Sequence, residues 1–307
     1  MTGAVGSERG PVPDGSHSDV WTVLRMILWS ADYLGGKGVA TARLDAEHLL
    51  AHVVGVSRLQ LYLDFERPLT PAELAGFRPL LKRRAAREPL QYILGRQPFR
   101  ELDLEVTPDV LIPRPETEAL VGEVLAWAGA RGRSDLTALD VGTGSGAIAL
   151  SLAIEGAFAS VLATDVAEPA LEVARRNRAT AGLDDRVELR HGRLFEPLAP
   201  GERFDVVVSN PPYVAEVEAD TLEPEVVRWE PRLALFAGAD GLDVLRSLVT
   251  GAGEALRPGG LLALEVGAGQ TVAVARVAED TGWYAGVSIR RDYAGKERFV
   301  LAESGGA

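Results

Sequence analysis

The chain has 307 residues, which suits two domains, one of them small. Apolar residues make up 47% and charged residues 25%, ordinary for a globular protein, and the absence of cysteine excludes disulfides and thiolate metal sites and fits the cytosol. The net charge of −12 is uneven: residues 1–110 hold 13 Lys+Arg against 14 Asp+Glu, whereas residues 111–307 hold 19 against 30. So acidic a larger part repels a phosphate backbone and argues against direct binding of nucleic acid.

Residues 1–18 are rich in Gly, Ser, Pro and Asp without an apolar core, so they read as a disordered tail and not as a secretory signal. From 19 to 88 the pattern is helical. Val20, Val23, Leu24 and Ile27 recur at helix spacing, as do Leu44, His48, Leu49 and Val53. Thr70-Pro71-Ala72-Glu73 supplies an N-cap, a first-turn proline and a capping acid. Lys82-Arg83-Arg84 with Arg87 is the one basic cluster; it reads as a solvated helix face, with a docking patch as the sharper alternative. Residues 89–110 change to a hairpin-like linker, with Phe99, Leu102, Leu104 and Val106 spaced for short strands and Pro98 and Pro108 bracketing them. A helix follows over 116–130.

Within 111–307, strand-like runs at 136–141, 160–165, 187–190, 204–209, 261–266, 286–291 and 297–302 alternate with helical stretches near 146–156, 168–181, 241–256 and 270–281. Such alternation predicts an α/β domain whose mostly parallel seven-stranded sheet is covered on both faces, with the last two strands an antiparallel pair at one edge. The most apolar long stretch, 147–163, is broken by Glu155 and Gly156 and is too short to span a membrane.

The first strand of that domain ends in Asp140-Val141-Gly142-Thr143-Gly144-Ser145-Gly146. Glycines there let the backbone turn sharply and approach a ligand. The spacing is G-x-G-x-G, not the longer G-x-G-x-x-G that seats a pyrophosphate at a helix N-terminus. It suits S-adenosylmethionine, which has no phosphate: loop amides from Gly142 to Gly146, with Asp140 as the candidate carboxylate, would hold its amino-acid end. Asp165 closes the second strand about 20 residues beyond the glycines, where a carboxylate can accept both ribose hydroxyls.

The fourth strand runs into Asn210-Pro211-Pro212-Tyr213, placed by the topology beside the glycine loop. Asn210 offers a side-chain acceptor and Pro211 a carbonyl without an N–H, so two oxygens can take both hydrogens of an –NH2 group. Pro212 restricts the residue before it, and Tyr213 offers a flat face to a planar amide or base. An amide nitrogen is a poor nucleophile because its lone pair is delocalised, the same resonance that gives a peptide bond its barrier of ~18–20 kcal/mol. Two fixed acceptors favour a pyramidal nitrogen facing an electrophilic methyl, and the step then needs positioning more than a general base.

These residues are where the chain resembles the bacterial protein-(glutamine-N5) methyltransferases, most closely the branch that acts on peptide chain release factors. Matching segments include Glu88 to Gly95, Ile112 to Glu118, Glu230 to Leu235, Asp240 to Asp243, Glu265-Val266-Gly267 with Gln270, and Arg291 to Arg298. Together they span about residues 20 to 302. The resemblance implies a Rossmann-like methyltransferase sheet behind a small helical substrate-recognition domain, S-adenosyl-L-methionine as cofactor, and no metal. It implies methylation of the glutamine in the Gly-Gly-Gln loop of release factors 1 and 2; the chain is expected to be a cytoplasmic monomer. Cofactor contacts then map onto Gly142 to Gly146, Asp165 and Asn210, and substrate contacts onto Asn210, Pro211, Pro212 and Tyr213. Arg193 stands where the family often has an acid, and Leu194 where it often has an aromatic over the adenine. Adenine-N6 nucleic-acid methyltransferases share the Asn-Pro-Pro-Tyr motif, and glutamine methyltransferases of ribosomal protein L3 are close relatives. The acidic larger domain disfavours the first and residues 113–118 the second.

Other polar features read more plainly. His48 and His52 lie four apart but lack a third ligand, so they read as helix residues. His191 edges the pocket, and Trp21 and Trp29 suit a core or a partner contact. Glu116 either touches cofactor or braces the linker.

Overall fold

The computed structural model describes residues 20–305; the expected tail at 1–18 lies outside them. The described chain forms two compact units, the first ending at Leu94 and the second beginning at Gly95.

The first unit is all helical: α1 (Val23–Gly35), α2 (Ala42–Val54), α3 (Arg58–Leu63), α4 (Pro71–Ala85) and α5 (Leu90–Leu94). Its core is Val23, Met26, Ile27, Leu49, Leu50, Phe77 and Leu81 with their neighbours. The capping box forms as read: Thr70 Oγ1 accepts from Glu73 N at 3.2 Å, and Thr70 N donates to Glu73 Oε2 at 2.8 Å. The inward face of α2 differs from expectation. Leu44 is exposed, while Asp45 and Glu47 are buried. Each buried acid has a cation: Arg84 Nε donates to Asp45 at 2.7 Å, and Arg58 and Arg43 reach Glu47 at 2.8 and 3.1 Å. Arg84 is therefore no part of a solvated basic face; it is 5% exposed because it neutralises Asp45. Val20, also expected to pack, is exposed ahead of the helix. Trp29 stacks on Tyr33 and meets Trp21 edge-on, all three against the helical core.

The second unit opens with the hairpin β1 (Arg96–Phe99) and β2 (Leu102–Glu105). Pro98 sits inside β1, opposite Asp103, and does not bracket it; a two-stranded ribbon has a free edge on which a missing N–H costs little. Then come α6 (Pro115–Ala130), β3 (Leu136–Val141), α7 (Ala147–Glu155), β4 (Phe158–Asp165), α8 (Glu168–Ala181), β5 (Val187–His191), β6 (Phe204–Ser209), α9 (Pro224–Trp229), α10 (Asp243–Ala255), β7 (Leu256–Glu265), α11 (Thr271–Thr281), β8 (Tyr284–Arg291) and β9 (Glu297–Ser304). The seven-stranded order is β5-β4-β3-β6-β7-β9-β8. The first five strands are parallel, and β9 pairs antiparallel with both β7 and β8. Of the two closing strands only β8 is an edge, because β9 inserts beside β7.

Burial on both faces follows from composition. Strand β6 is buried at every position, as is β3 at all but one, so side chains alternate into two separate cores. One core joins α6 and α7 to the sheet, and the other joins α10 and α11 to it. The strand order reverses between β3 and β6, so their carboxyl ends diverge into a crevice. Among the described residues no helix is long and apolar enough to cross a membrane.

Candidate active site

A cavity of about 460 Å³ lies at that crevice, within the ~300–1,000 Å³ of small-molecule sites. Its floor is the glycine loop. Gly142 and Gly144 have φ of +76° and +56°, where a side chain is strained, and the loop is laced to β4 by Gly142 N and Thr143 N, which donate to Thr164 O at 2.8 and 3.0 Å.

The cavity brings together Gly142, Thr143, Gly144, Ser145, Asp165, Asn210, Pro211 and Pro212, joined by Arg193 and Leu194. It does not include Asp140, Gly146 or Tyr213. Asp140, expected at the cofactor's amino-acid end, is wholly buried beneath the loop. Its Oδ2 accepts from Thr143 Oγ1 at 2.6 Å and from Ala149 N at 3.2 Å, and burial pushes its pKa up to about 7. It braces the loop from below. The reason is periodicity: Val141 and Asp140 leave opposite faces of β3, and Asp140 takes the side under α7. Gly146 caps α7, where an added Cβ would lie 3.1 Å from Leu150.

Asp165 stands at the end of β4 with its carboxylate fixed across the loop. Oδ2 accepts from Gly144 N and Oδ1 from Ala167 N, each at 2.9 Å. Burial raises its pKa, and these amides oppose the rise. The Val166 amide adds to these bonds, and a carboxylate with about four acceptor positions still has capacity left. Asn177, buried on α8, anchors the loop from the side: its Nδ2 donates to Ser145 O at 2.9 Å and to Glu105 O at 3.0 Å, and its Oδ1 accepts from Glu105 N at 2.7 Å. The hairpin is thus tied to the floor of the cavity.

At the end of β6, Ser209 Oγ donates to Val141 O at 2.6 Å and locks the two strand ends together. Asn210 follows. Its Nδ2 donates to Thr117 Oγ1 at 3.0 Å, while its Oδ1 is buried with no partner among the described residues. An unsatisfied buried carbonyl is costly, and on a residue that lines a cavity a ligand can complete it. Tyr213 turns away from the cavity. Its hydroxyl faces Glu265 Oε1 at 3.4 Å, the Arg298 guanidinium lies 5.7 Å from its ring, and burial next to Glu265 lifts its pKa to about 12. Its carbonyl accepts from Gln270 Nε2 at 2.9 Å, and Gln270 Oε1 accepts from Gly267 N at 2.9 Å. The expected flat face is therefore packed into the α10–α11 core, and the residue anchors the tetrapeptide.

Sequence reading did not assign roles to Thr117, Asn177, Glu230 or Glu265. Thr117 lines the cavity and donates to Glu265 Oε2 at 2.8 Å. Glu265 is 1% exposed, and burial pushes its pKa up to about 7. Glu230, also buried, accepts from Arg114 at 2.5 Å, tying the segment before α6 to the Pro231–Ala234 rim. Burial raises its pKa, against the pull of Arg114. Helical position was a usable signal for Thr117, which is the third residue of α6 and so turns inward under the cap. Glu116 is not on the cavity wall, and His191 Nε2 faces Val166 O at 3.0 Å outside it.

The model of the PrmC N-terminal domain matches residues 25–95, and that of the methyltransferase small domain matches residues 125–228. The release factor glutamine methyltransferase of Geobacter sulfurreducens is 46% identical over 265 residues, covering 86% of this chain and 91% of its own. That of Moorella thermoacetica is 46% identical over 273 residues, covering 88% and 94%. Among solved structures, the hMettl16 catalytic domain in complex with MAT2A 3'UTR hairpin 6 superposes with a TM-score of 0.55 at 18% identity, over 73% of this chain and 81% of that one, a likeness of fold. With the glycine loop, the strand-end acid and Asn210 to Pro212 converging on one cavity, and with identity of this extent along nearly the whole chain, the protein belongs to the release factor glutamine methyltransferase family.

Proposed function

We propose that the chain transfers a methyl group from S-adenosyl-L-methionine to N5 of the glutamine in the Gly-Gly-Gln loop of peptide chain release factors 1 and 2. The observation that carries this reading is Asn210 Oδ1, a buried acceptor without a partner, beside the glycine-lined cavity. The cavity's size and its largely apolar wall, including Val166, Leu194 and Leu248, fit an adenosine. Asp165 has acceptor capacity left for the ribose, and Gly142 to Ser145 offer backbone to the amino-acid end. When bound, the cofactor supplies a sulfonium methyl: its C–S bond breaks as the new N–C bond forms, and the nitrogen's surplus proton leaves to water.

The protein's part is placement. Asn210 Oδ1 and the Pro211 carbonyl accept the two amide hydrogens and hold the nitrogen's lone pair on the line of attack. A substrate lacking those N–H groups leaves both oxygens unpaired, which gives selectivity for a primary amide. Asp140 keeps the loop in shape from beneath, and Tyr213 fixes the far end of the tetrapeptide. The helical unit supplies recognition of the release factor body. The protein acts as a monomer in the cytoplasm, without direct binding of nucleic acid.

The test is incubation with labelled cofactor and either release factor, wild type or with the loop glutamine changed to alanine. Label is expected on the wild-type factor alone; equal label on the alanine variant would redirect the assignment. An Asn210→Ala enzyme is expected to lose turnover about 100-fold, the scale of one lost transition-state hydrogen bond, while still binding cofactor.

A further inference from the structure

Asn210 can act as described only if its amide is the right way round. The two orientations of an asparagine amide fill the same space and differ only in which neighbours they satisfy. The neighbour here is Thr117 Oγ1, at 3.0 Å from Asn210 Nδ2. A hydroxyl has one proton, and Thr117 donates it to Glu265 Oε2 at 2.8 Å. With its proton committed there, Thr117 presents only an oxygen to Asn210. The asparagine must then offer its NH2 to Thr117, which leaves its carbonyl oxygen as the unused acceptor of a cavity-lining residue, and Oδ1 is indeed buried without a protein partner.

We propose that Thr117 and Glu265 are positioning residues: Glu265 orients the Thr117 hydroxyl, and Thr117 in turn fixes Asn210 with its carbonyl oxygen facing the substrate amide. This rests on the proposed function above, in which Asn210 accepts a substrate hydrogen. The three groups come from distant parts of the chain: the first turn of α6, the end of β6 and the end of β7. The Tyr213 hydroxyl meets the other carboxyl oxygen, Oε1, at 3.4 Å, so the Glu265 side chain is held at both oxygens.

The test uses the full chain and four variants: Thr117→Val, which keeps shape and removes the hydroxyl; Thr117→Ser, which keeps the hydroxyl; Asn210→Ala; and Thr117→Val with Asn210→Ala. Turnover is read with a release factor, cofactor affinity by calorimetry, and the Asn210 side-chain amide by nitrogen-15 NMR, its signal identified by its loss in Asn210→Ala. Thr117→Val is expected to lower kcat about tenfold, equivalent to about 1.4 kcal/mol, with cofactor affinity within about twofold and the Asn210 signal displaced. Thr117→Ser is expected to restore most of the rate and the signal, and adding Thr117→Val to Asn210→Ala is expected to cost nothing further. Wild-type turnover in Thr117→Val, losses that multiply in the double variant, or no rescue by serine would overturn the proposal. Should the wild-type enzyme fail to methylate the loop glutamine, the substrate reading falls. The NMR arm then judges positioning alone, and an Asn210 signal unmoved by Thr117→Val sinks it.

Discussion

Glu265 is a carboxyl group 1% exposed and in no ion pair among the described residues, which makes its protonation a measurable part of stability. Burial is the main reason its pKa stands at about 7, and the nearby Glu116 adds to the rise. In an unfolded chain it would titrate near 4.3. Between those values the folded state holds a proton that the unfolded state has released. Stability therefore falls as pH rises through this window, is unaffected by this group below it, and carries the full penalty above it. A difference of between two and three pKa units corresponds to roughly 3 kcal/mol. Glu265→Gln removes the titration but keeps the shape and an oxygen for Thr117, so any change in that hydrogen bond is a pH-independent offset. Urea unfolding of both proteins at pH 5.0, 6.5 and 8.5, values chosen to span about the window, isolates the effect. Relative to wild type, the variant is expected to gain roughly 2.5 kcal/mol between the lowest and highest pH, since pH 5.0 already lies above the unfolded pKa. Two stability curves that stay parallel across the range would refute the reasoning, because a carboxylate ionised throughout contributes no such slope.

Asp165→Ala removes the acceptor of Gly144 N and Ala167 N and the proposed ribose partner; cofactor affinity by calorimetry is expected to drop about 30-fold, at ~1 kcal/mol or more per lost bond, and an unchanged affinity would remove Asp165 from the site. Asn177→Ala cuts three hydrogen bonds between the hairpin, α8 and the glycine loop; a loss of about 2–4 kcal/mol in chemical denaturation is expected, since buried backbone groups are left unpaired. Gly241→Ala combines a φ of +72° with a Cβ only 2.3 Å from the Tyr213 carbonyl; thermal unfolding is expected to show a destabilisation of at least about 2 kcal/mol, and a neutral outcome would mean that the tetrapeptide is less firmly held than its contacts indicate.

The parts of the fold legible in the sequence are those set by local pattern. Strands β3 and β6 occupy the expected 136–141 and 204–209, and α8 the expected 168–181, because each is a continuous apolar run or an amphipathic stretch bounded by Gly, Pro or Asp. Strands β4, β8 and β9 run two residues beyond expectation, and β7 starts five residues early at Leu256, which pairs with Phe204 ahead of an irregular stretch from Arg257 to Gly260 before pairing resumes at Leu261. The inward acids of α2 were illegible for the opposite reason. Asp45 and Glu47 break the apolar stripe and are made tolerable by partners that include Arg84 and Arg58, 39 and 11 residues away.

The same distinction runs through the site. The glycine loop, Asp165 and Asn210 to Pro212 announce themselves because their roles lie in the backbone turn or at a strand end, both local properties. Asp140 and Tyr213 belong to the same motifs, yet they brace from outside the cavity, since the pleat alternates sides and a motif does not say which of its members face the ligand. The partner that fixes the Asn210 amide is Thr117, 93 residues upstream, and the partner that fixes Thr117 is Glu265, 148 residues further on. Neither pairing has a spacing to detect. An acceptor that must point one way needs a neighbour with no choice of its own, and a lone hydroxyl acquires that constraint only when a second chain segment takes its proton. Chemistry of this kind is written in the motif, but its orientation is settled by the sheet order that brings α6, β6 and β7 to one corner.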